Sequence, residues 1–109
     1  QITDAPHHAN NNHWMYPLQI DKDIYGKDKE ELMKFLSEYN IQTRPVWYLN
    51  HLQKPYKNCQ NYKIDKAIKL WDNTLNVPCS VNLSLSDLER VIMTISIGSH
   101  KHNKPQINR

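Results

Sequence analysis

The chain has 109 residues, of which 39% are hydrophobic, so it can form one small domain with a modest core. Its net charge of +3 comes from 14 basic and 11 acidic residues mixed along the chain, a balance that does not indicate a nucleic-acid partner. Two glycines are too few for a Gly-rich phosphate loop, so any phosphate site must use side chains.

The first half of the chain predicts a connector, a strand and a helix. Residues 1–12 are polar and aperiodic, as expected for a connector. Residues 13–20, HWMYPLQI, predict a strand that Pro17 confines to a sheet edge or a bulge. After a charged turn, Asp28 and Glu31 have the spacing of a capping box. Apolar residues at helical spacing follow this box, namely Leu32, Phe35, Leu36 and Tyr39.

The second half of the chain predicts, in order, a strand, a loop, a helix, a short strand and a last helix. Residues 41–47 predict a brief strand interrupted by Pro45, and a loop then runs to about residue 61. The second helix is predicted from Ile64, Ala67, Ile68, Trp71 and Leu75, with Trp71 in the core. Residues 77–81 predict a short extended piece, and Ser84 or Ser86 is predicted to cap a third helix that carries Leu88, Val91, Ile92 and Ile95.

This order of elements predicts an α+β fold, a small sheet covered by helices on one face. The domain is predicted to span residues 13–97. Residues 98–109 form a polar tail, which we expect to be disordered or to belong to a part that is absent. The uncovered face of the sheet suggests that the chain packs on a neighbouring domain.

The cysteines and the N-terminus indicate a cytoplasmic protein without a membrane partner. Cys59 and Cys79 form no CxxC pair, and nothing near the N-terminus resembles a signal peptide or a membrane span. We therefore expect two free thiols, with a disulfide between them as the less favoured alternative. Six histidines lack the spacing of a zinc finger or of HExxH, so we expect no metal.

Two clusters of aromatic, basic and amide side chains fall at strand ends or in loops, where binding groups concentrate. Arg and Lys pair with phosphate, Trp and Tyr stack on a base or sugar, and His and Asn bond hydroxyl or acetamido groups. These are the groups that a nucleotide-sugar needs. No catalytic residue is predicted, and the candidate substrate-binding residues are Asn12, His13, Tyr16, Arg44, Trp47, His51, Lys54 and Tyr56.

Structural alternatives exist for several of these aromatic and basic side chains. Trp14 and Trp47 can fill the core, Lys54 can be solvated, and Tyr48 is predicted to pack. Arg44 is harder to assign to structure alone, because a planar donor beside a rigid proline suits a bidentate anion contact. His51 can titrate near neutral pH or only donate a hydrogen bond.

Three segments resemble a known enzyme family: NNHWMYPLQI, NIQTRPVWYLNHLQKPY and LNVPCSVNLSLSDLERVI. Over about residues 5–95 the chain resembles the C-terminal region of the DegT/DnrJ/EryC1/StrS sugar aminotransferases. Within that group it is most similar to the branch that aminates 4-keto nucleotide-sugars on routes to bacillosamine and legionaminic acid. One departure is NNHW, where the branch often has a Ser before the Asn.

The resemblance implies a homodimeric fold-type I enzyme of surface-polysaccharide or glycan biosynthesis. A Lys of its large domain holds pyridoxal phosphate as a Schiff base, and glutamate donates the amino group. That large catalytic domain lies upstream of every matched residue, so the present chain is expected to be inactive alone.

In such enzymes the small domain closes part of the active site. By resemblance, His13 and Tyr16 are expected to face the sugar, and Arg44 and Lys54 to contact phosphate or the carboxylate of the amino donor. His51 with Tyr56 is expected to order the loop. The main alternative is a stand-alone module that binds nucleotide-sugars without catalysis. An RNA-binding domain is disfavoured because the aromatic residues fall mostly in loops and helices rather than on one sheet face.

Overall fold

A computed structural model describes residue 2 and residues 5–99 of the chain. The predicted strands and helices follow one another in the predicted order, and a further short helix, Lys22–Tyr25, occupies the segment that was predicted to be a charged turn. Two 3₁₀ turns, Asn50–Leu52 and Lys54–Tyr56, lie in the long loop. The strands and helices are β1 (Tyr16–Gln19), α1 (Lys22–Tyr25), α2 (Lys29–Glu38), β2 (Arg44–Pro45), α3 (Asp65–Asn73), β3 (Thr74–Val77) and α4 (Leu85–Ile97).

The three strands form one antiparallel sheet in the order β1-β3-β2, which confirms the predicted α+β class. Pro17 lies in β1 and Pro45 in β2, so both prolines occupy edge strands. A proline has no backbone N–H to give to a second neighbour, which is why the centre of the sheet excludes it. Of the two predicted positions for Pro17, an edge or a bulge, the structure has the edge.

Helices α2 and α4 pack on one face of the sheet. Leu18 and Leu75 are register partners and lie on this face, where Leu75 is fully buried. Leu32 and Leu36, one helical turn apart on α2, are also fully buried, and Val91 contributes from α4. The core is therefore small and joins the central strand to the two helices that the sequence predicts most clearly.

The central strand lies earlier in the chain than predicted. Leu75 was assigned to the second helix by its spacing from Trp71, but α3 ends at Asn73 and Leu75 lies in β3. A spacing of four residues fits both a helix and a strand, and pairing with both neighbouring strands decides in favour of the strand. Pro78 then ends the ladder, and Val81 is 97% exposed, so the predicted strand over residues 77–81 is wrong beyond Val77.

Both predicted helix caps are present. Asp28 accepts from the backbone N–H of Glu31, whose carboxylate accepts from the backbone N–H of Asp28. Ser84, rather than Ser86, caps α4 and forms the same reciprocal arrangement with Asp87. Among the described residues, no helix is long and apolar enough to cross a membrane.

The capping carboxylate of Asp28 predicts a loss of stability in acid. The backbone N–H of Glu31 and the ammonium of Lys22 hold the pKa of Asp28 below its ordinary value of 3.8. A carboxyl group whose pKa is lower in the folded state stabilises above its unfolded pKa, and this contribution disappears as pH falls through the folded pKa. Asp28→Asn keeps a capping oxygen but does not titrate.

We expect the melting temperature of Asp28→Asn to fall less than that of the wild type between about pH 5 and about pH 2. Lys22→Gln removes one of the groups that lower the pKa of Asp28, and its change in melting temperature is expected to lie between those of the wild type and Asp28→Asn. Thermal unfolding followed by circular dichroism tests this, and equal acid slopes in the wild type and Asp28→Asn would contradict it.

Candidate functional site

An open groove of about 630 Å³ is lined by β2, by the end of β3 and by the segment before β1. Arg44 and Asn76 are register partners in β2 and β3. Because side chains alternate along a strand, they lie on the face opposite Leu75 and its hydrophobic core. The groove's aromatic and polar lining includes Trp14, Gln42, Arg44, Trp47, Asn76 and Cys79.

Two tryptophans come together in this groove although they lie far apart in the sequence. The ring centroids of Trp14 and Trp47 are 5.9 Å apart, and the ring planes are tilted by 49°. Trp14 is 66% exposed and Trp47 is 71% exposed. The alternative that they fill the core is therefore wrong, and the aromatic faces are available to a ligand.

The backbone around Trp14 has an unusual conformation. His13 and Met15, the residues on either side, have φ angles of 54° and 72°. These values lie in the left-handed region, which residues other than glycine rarely adopt. The side chains of Asn11 and Asn12 accept hydrogen bonds from the backbone N–H groups of His13 and Trp14, at 2.9 and 3.0 Å. These Asx turns give Asn12 a structural role that the sequence analysis did not assign.

The guanidinium of Arg44 is free among the residues that the structure describes. No hydrogen bond or ion pair within residue 2 and residues 5–99 involves it, whereas Arg90 donates to the carbonyl of Tyr39 at 2.9 Å. Beside Arg44, the side-chain amide of Asn76 donates to the carbonyl of Pro45 at 3.3 Å and so joins the two strands. An exposed guanidinium at a strand edge can bind a phosphate or a carboxylate.

The other predicted site residues lie outside the lining of the groove. The rings of His13 and Tyr16 stack on each other, with centroids 5.7 Å apart and planes 23° apart. His51 lies in the first 3₁₀ turn, and Lys54 and Tyr56 lie in the second. Lys54 and Tyr56 are exposed and His51 is half-buried.

The residues that line the groove but were not predicted to bind substrate include Trp14, Gln42, Asn76 and Cys79. Asn76 was missed because the central strand was placed too late in the chain. Cys79 follows that strand and is half-buried, while Cys59 is exposed, and both thiols are free. Tyr48, predicted to pack, also lines the groove, and its ring meets Trp71 edge-on with centroids 5.3 Å apart.

Neither the buried lysine nor the two glycines among the described residues provide a site for pyridoxal phosphate as a resident cofactor. The buried lysine Lys29, 2% exposed, donates to the carbonyl of Trp71 at 2.8 Å, and its ammonium lies 3.8 Å from the centroid of the Trp71 ring. The ammonium of Lys29 is therefore occupied by structural contacts with Trp71. Gly26 closes α1 and Gly98 follows α4, so neither opens a helix to bind a phosphate.

The fold is one that sugar aminotransferases contain. DesI, solved in the presence of its TDP-sugar product, matches 94% of this chain over 26% of its own length, with a TM-score of 0.79 and 20% identity. The sugar aminotransferase CalS13 from Micromonospora echinospora matches 90% of this chain over 25% of its own length, with a TM-score of 0.75 and 21% identity. At these identities the likeness concerns the fold alone.

The chain belongs to the DegT/DnrJ/EryC1/StrS aminotransferase family, whose model matches residues 1–96. GDP-perosamine synthase from Caulobacter vibrioides is 26% identical over 82 residues, which are 75% of this chain and 22% of that protein. The chain thus spans about a quarter or less of the relatives that it matches. The family resemblance seen in the sequence is confirmed.

Proposed function

We propose that this chain is the C-terminal small domain of a pyridoxal-phosphate-dependent enzyme that aminates a 4-keto nucleotide-sugar. In this proposal glutamate donates the amino group, and the product enters surface-polysaccharide or glycan biosynthesis, by a route similar to those that make bacillosamine and legionaminic acid. The intact enzyme is a cytoplasmic homodimer. The large catalytic domain holds the cofactor, and the present chain alone is inactive.

The limited span of the chain against its relatives supports the part of the proposal that concerns a missing domain. So does the surface of α4, where Leu85, Leu88 and Ile92 are 72%, 45% and 55% exposed. These three residues follow a helical spacing and form a stripe beside the face that carries Val91. An apolar stripe of this kind fits a surface that a neighbouring domain covers.

The observation that carries the proposed substrate is the free guanidinium of Arg44 in a groove with exposed aromatic rings. A nucleotide-sugar combines a planar base, a diphosphate and a hydroxylated ring, and Arg pairs with phosphate oxygens through two parallel hydrogen bonds. We assign Arg44 to the diphosphate, or else to the carboxylate of glutamate. Trp47 adds a stacking surface in the same groove.

The remaining predicted residues have secondary roles in the proposal. The stacked pair of His13 and Tyr16 faces the sugar, with Asn12 holding the preceding turn. Lys54 adds positive charge from its 3₁₀ turn, and His51 with Tyr56 orders the loop that contains it.

The test is an assay of the intact polypeptide that contains this domain, with pyridoxal phosphate, glutamate and UDP- or GDP-linked 4-keto sugars. We expect the amino sugar and 2-oxoglutarate as products by mass spectrometry. The 109-residue chain, assayed in parallel, is expected to form neither product nor an adduct with pyridoxal phosphate that borohydride traps. A trapped adduct on the chain alone would overturn the assignment of the chemistry to the large domain. An inactive intact polypeptide would overturn the aminotransferase proposal itself.

A further inference from the structure

The indole rings of Trp14 and Trp47 are exposed to water at the groove, which is an unfavourable environment for large aromatic side chains. An aromatic side chain is more stable buried against apolar groups than exposed to water. Trp14 and Trp47 instead expose about two thirds of their surface and lie against each other with a centroid separation of 5.9 Å. Such a pair is suited to contact a further flat apolar group.

The chain also holds Trp14 in place at an energetic cost. A residue other than glycine is strained in the left-handed region, and here two such residues flank one tryptophan. The Asx turns of Asn11 and Asn12 maintain this segment. Strain of this kind is typical of positions where the surrounding structure presents a side chain for a task.

The charged and polar groups beside Trp14 and Trp47 indicate which class of ligand the groove can bind. Arg44 precedes Trp47 by three residues, lines the same groove and has no partner among the described residues. The amides of Gln42 and Asn76 lie in the same lining. The groove therefore combines aromatic faces, one unpaired cation and hydrogen-bonding amides, and these are the groups that an aromatic base joined to a diphosphate requires.

We infer that Trp14 and Trp47 form the stacking site for the base of the nucleotide, with Arg44 beside it on the diphosphate. This inference rests on the proposed function. It specifies which part of the nucleotide-sugar the groove binds. It also assigns Trp14, which is absent from the predicted substrate-binding residues. The sugar then extends toward the stacked rings of His13 and Tyr16.

The test is equilibrium titration of the 109-residue chain with UDP, GDP and, as a ligand without a base, glucose 1-phosphate. Quenching of tryptophan fluorescence and calorimetry report binding. We expect UDP or GDP to bind, and Trp14→Ala and Trp47→Ala each to weaken that binding about ten-fold or more, since a base stacked on an aromatic ring is strongly stabilised. Trp14→Phe and Trp47→Phe, which retain a ring, are expected to recover part of the affinity.

Tyr62→Ala is the matched control, because Tyr62 is an aromatic residue that is 76% exposed and lies outside the groove. It is expected to bind as the wild type does. Circular dichroism melts verify that each variant is folded.

Nucleotide affinity that is unchanged in both alanine variants would overturn the inference. Glucose 1-phosphate binding as tightly as UDP, with the same dependence on the tryptophans, would also overturn it and would assign the rings to the sugar. An absence of nucleotide binding would overturn it as well. The proposed function is judged separately, because the amination assay on the intact polypeptide does not depend on these two side chains.

Discussion

Arg44→Ala in the intact enzyme is expected to raise the KM for the nucleotide-sugar about 10- to 100-fold. A hydrogen bond to a charged group contributes about 1.5–3 kcal/mol, and a ten-fold change corresponds to about 1.4 kcal/mol. Because the proposed contact is with the diphosphate, far from the keto group, the substitution removes binding that is equal in the ground state and the transition state. We therefore expect kcat to change much less than KM.

Two further variants separate a phosphate contact from a general effect of charge. Arg44→Lys keeps the charge but loses the planar pair of donors, so its KM is expected to lie between those of the wild type and Arg44→Ala. Lys69→Ala removes an exposed cation from α3, outside the groove, and is expected to leave KM unchanged. Steady-state kinetics measure all three. An unchanged KM for the nucleotide-sugar in Arg44→Ala removes Arg44 from the diphosphate, and an unchanged KM for glutamate as well removes it from the site.

Leu75→Ala is expected to lower the free energy of unfolding by about 2–5 kcal/mol. Leu75 is fully buried in the central strand, where it pairs with Leu18 in β1 and with Pro45 in β2. Its side chain also belongs to the cluster that contains Leu36, so truncation leaves a cavity between the sheet and a helix. In a small domain with an unfolding free energy of about 5–15 kcal/mol, this is a large share.

Leu85→Ala is the matched control, because Leu85 lies on the outer surface of α4 and is 72% exposed. It is expected to change the free energy of unfolding of the isolated chain by no more than about 0.5 kcal/mol. Urea unfolding of both variants gives the comparison. Equal losses in the two variants would contradict the assignment of Leu75 to the core.

The types of side chain in the candidate site could be predicted from the sequence, but most of the particular residues that line the groove could not. Arg44 and Trp47 were both predicted from the sequence as site residues, and both line the groove. Trp14 lies thirty-three residues before Trp47, and only the antiparallel pairing of β1 and β2 with the same central strand brings the two rings together. Asn76 enters the groove for the same reason.

The sequence by itself determined the helices α2 and α4, the cap at Asp28, a cap of α4 at Ser84 or Ser86, and the position of Pro17 at a sheet edge or a bulge. Each of these depends on groups within a few residues, such as a side chain that accepts from a nearby N–H or a proline that lacks one. Only the tertiary structure decided that residues 74–77 form the central strand and that Trp14 meets Trp47 beside Arg44. The physical reason is that strand order and surface proximity arise from pairing between distant segments, and local periodicity does not specify which segments pair.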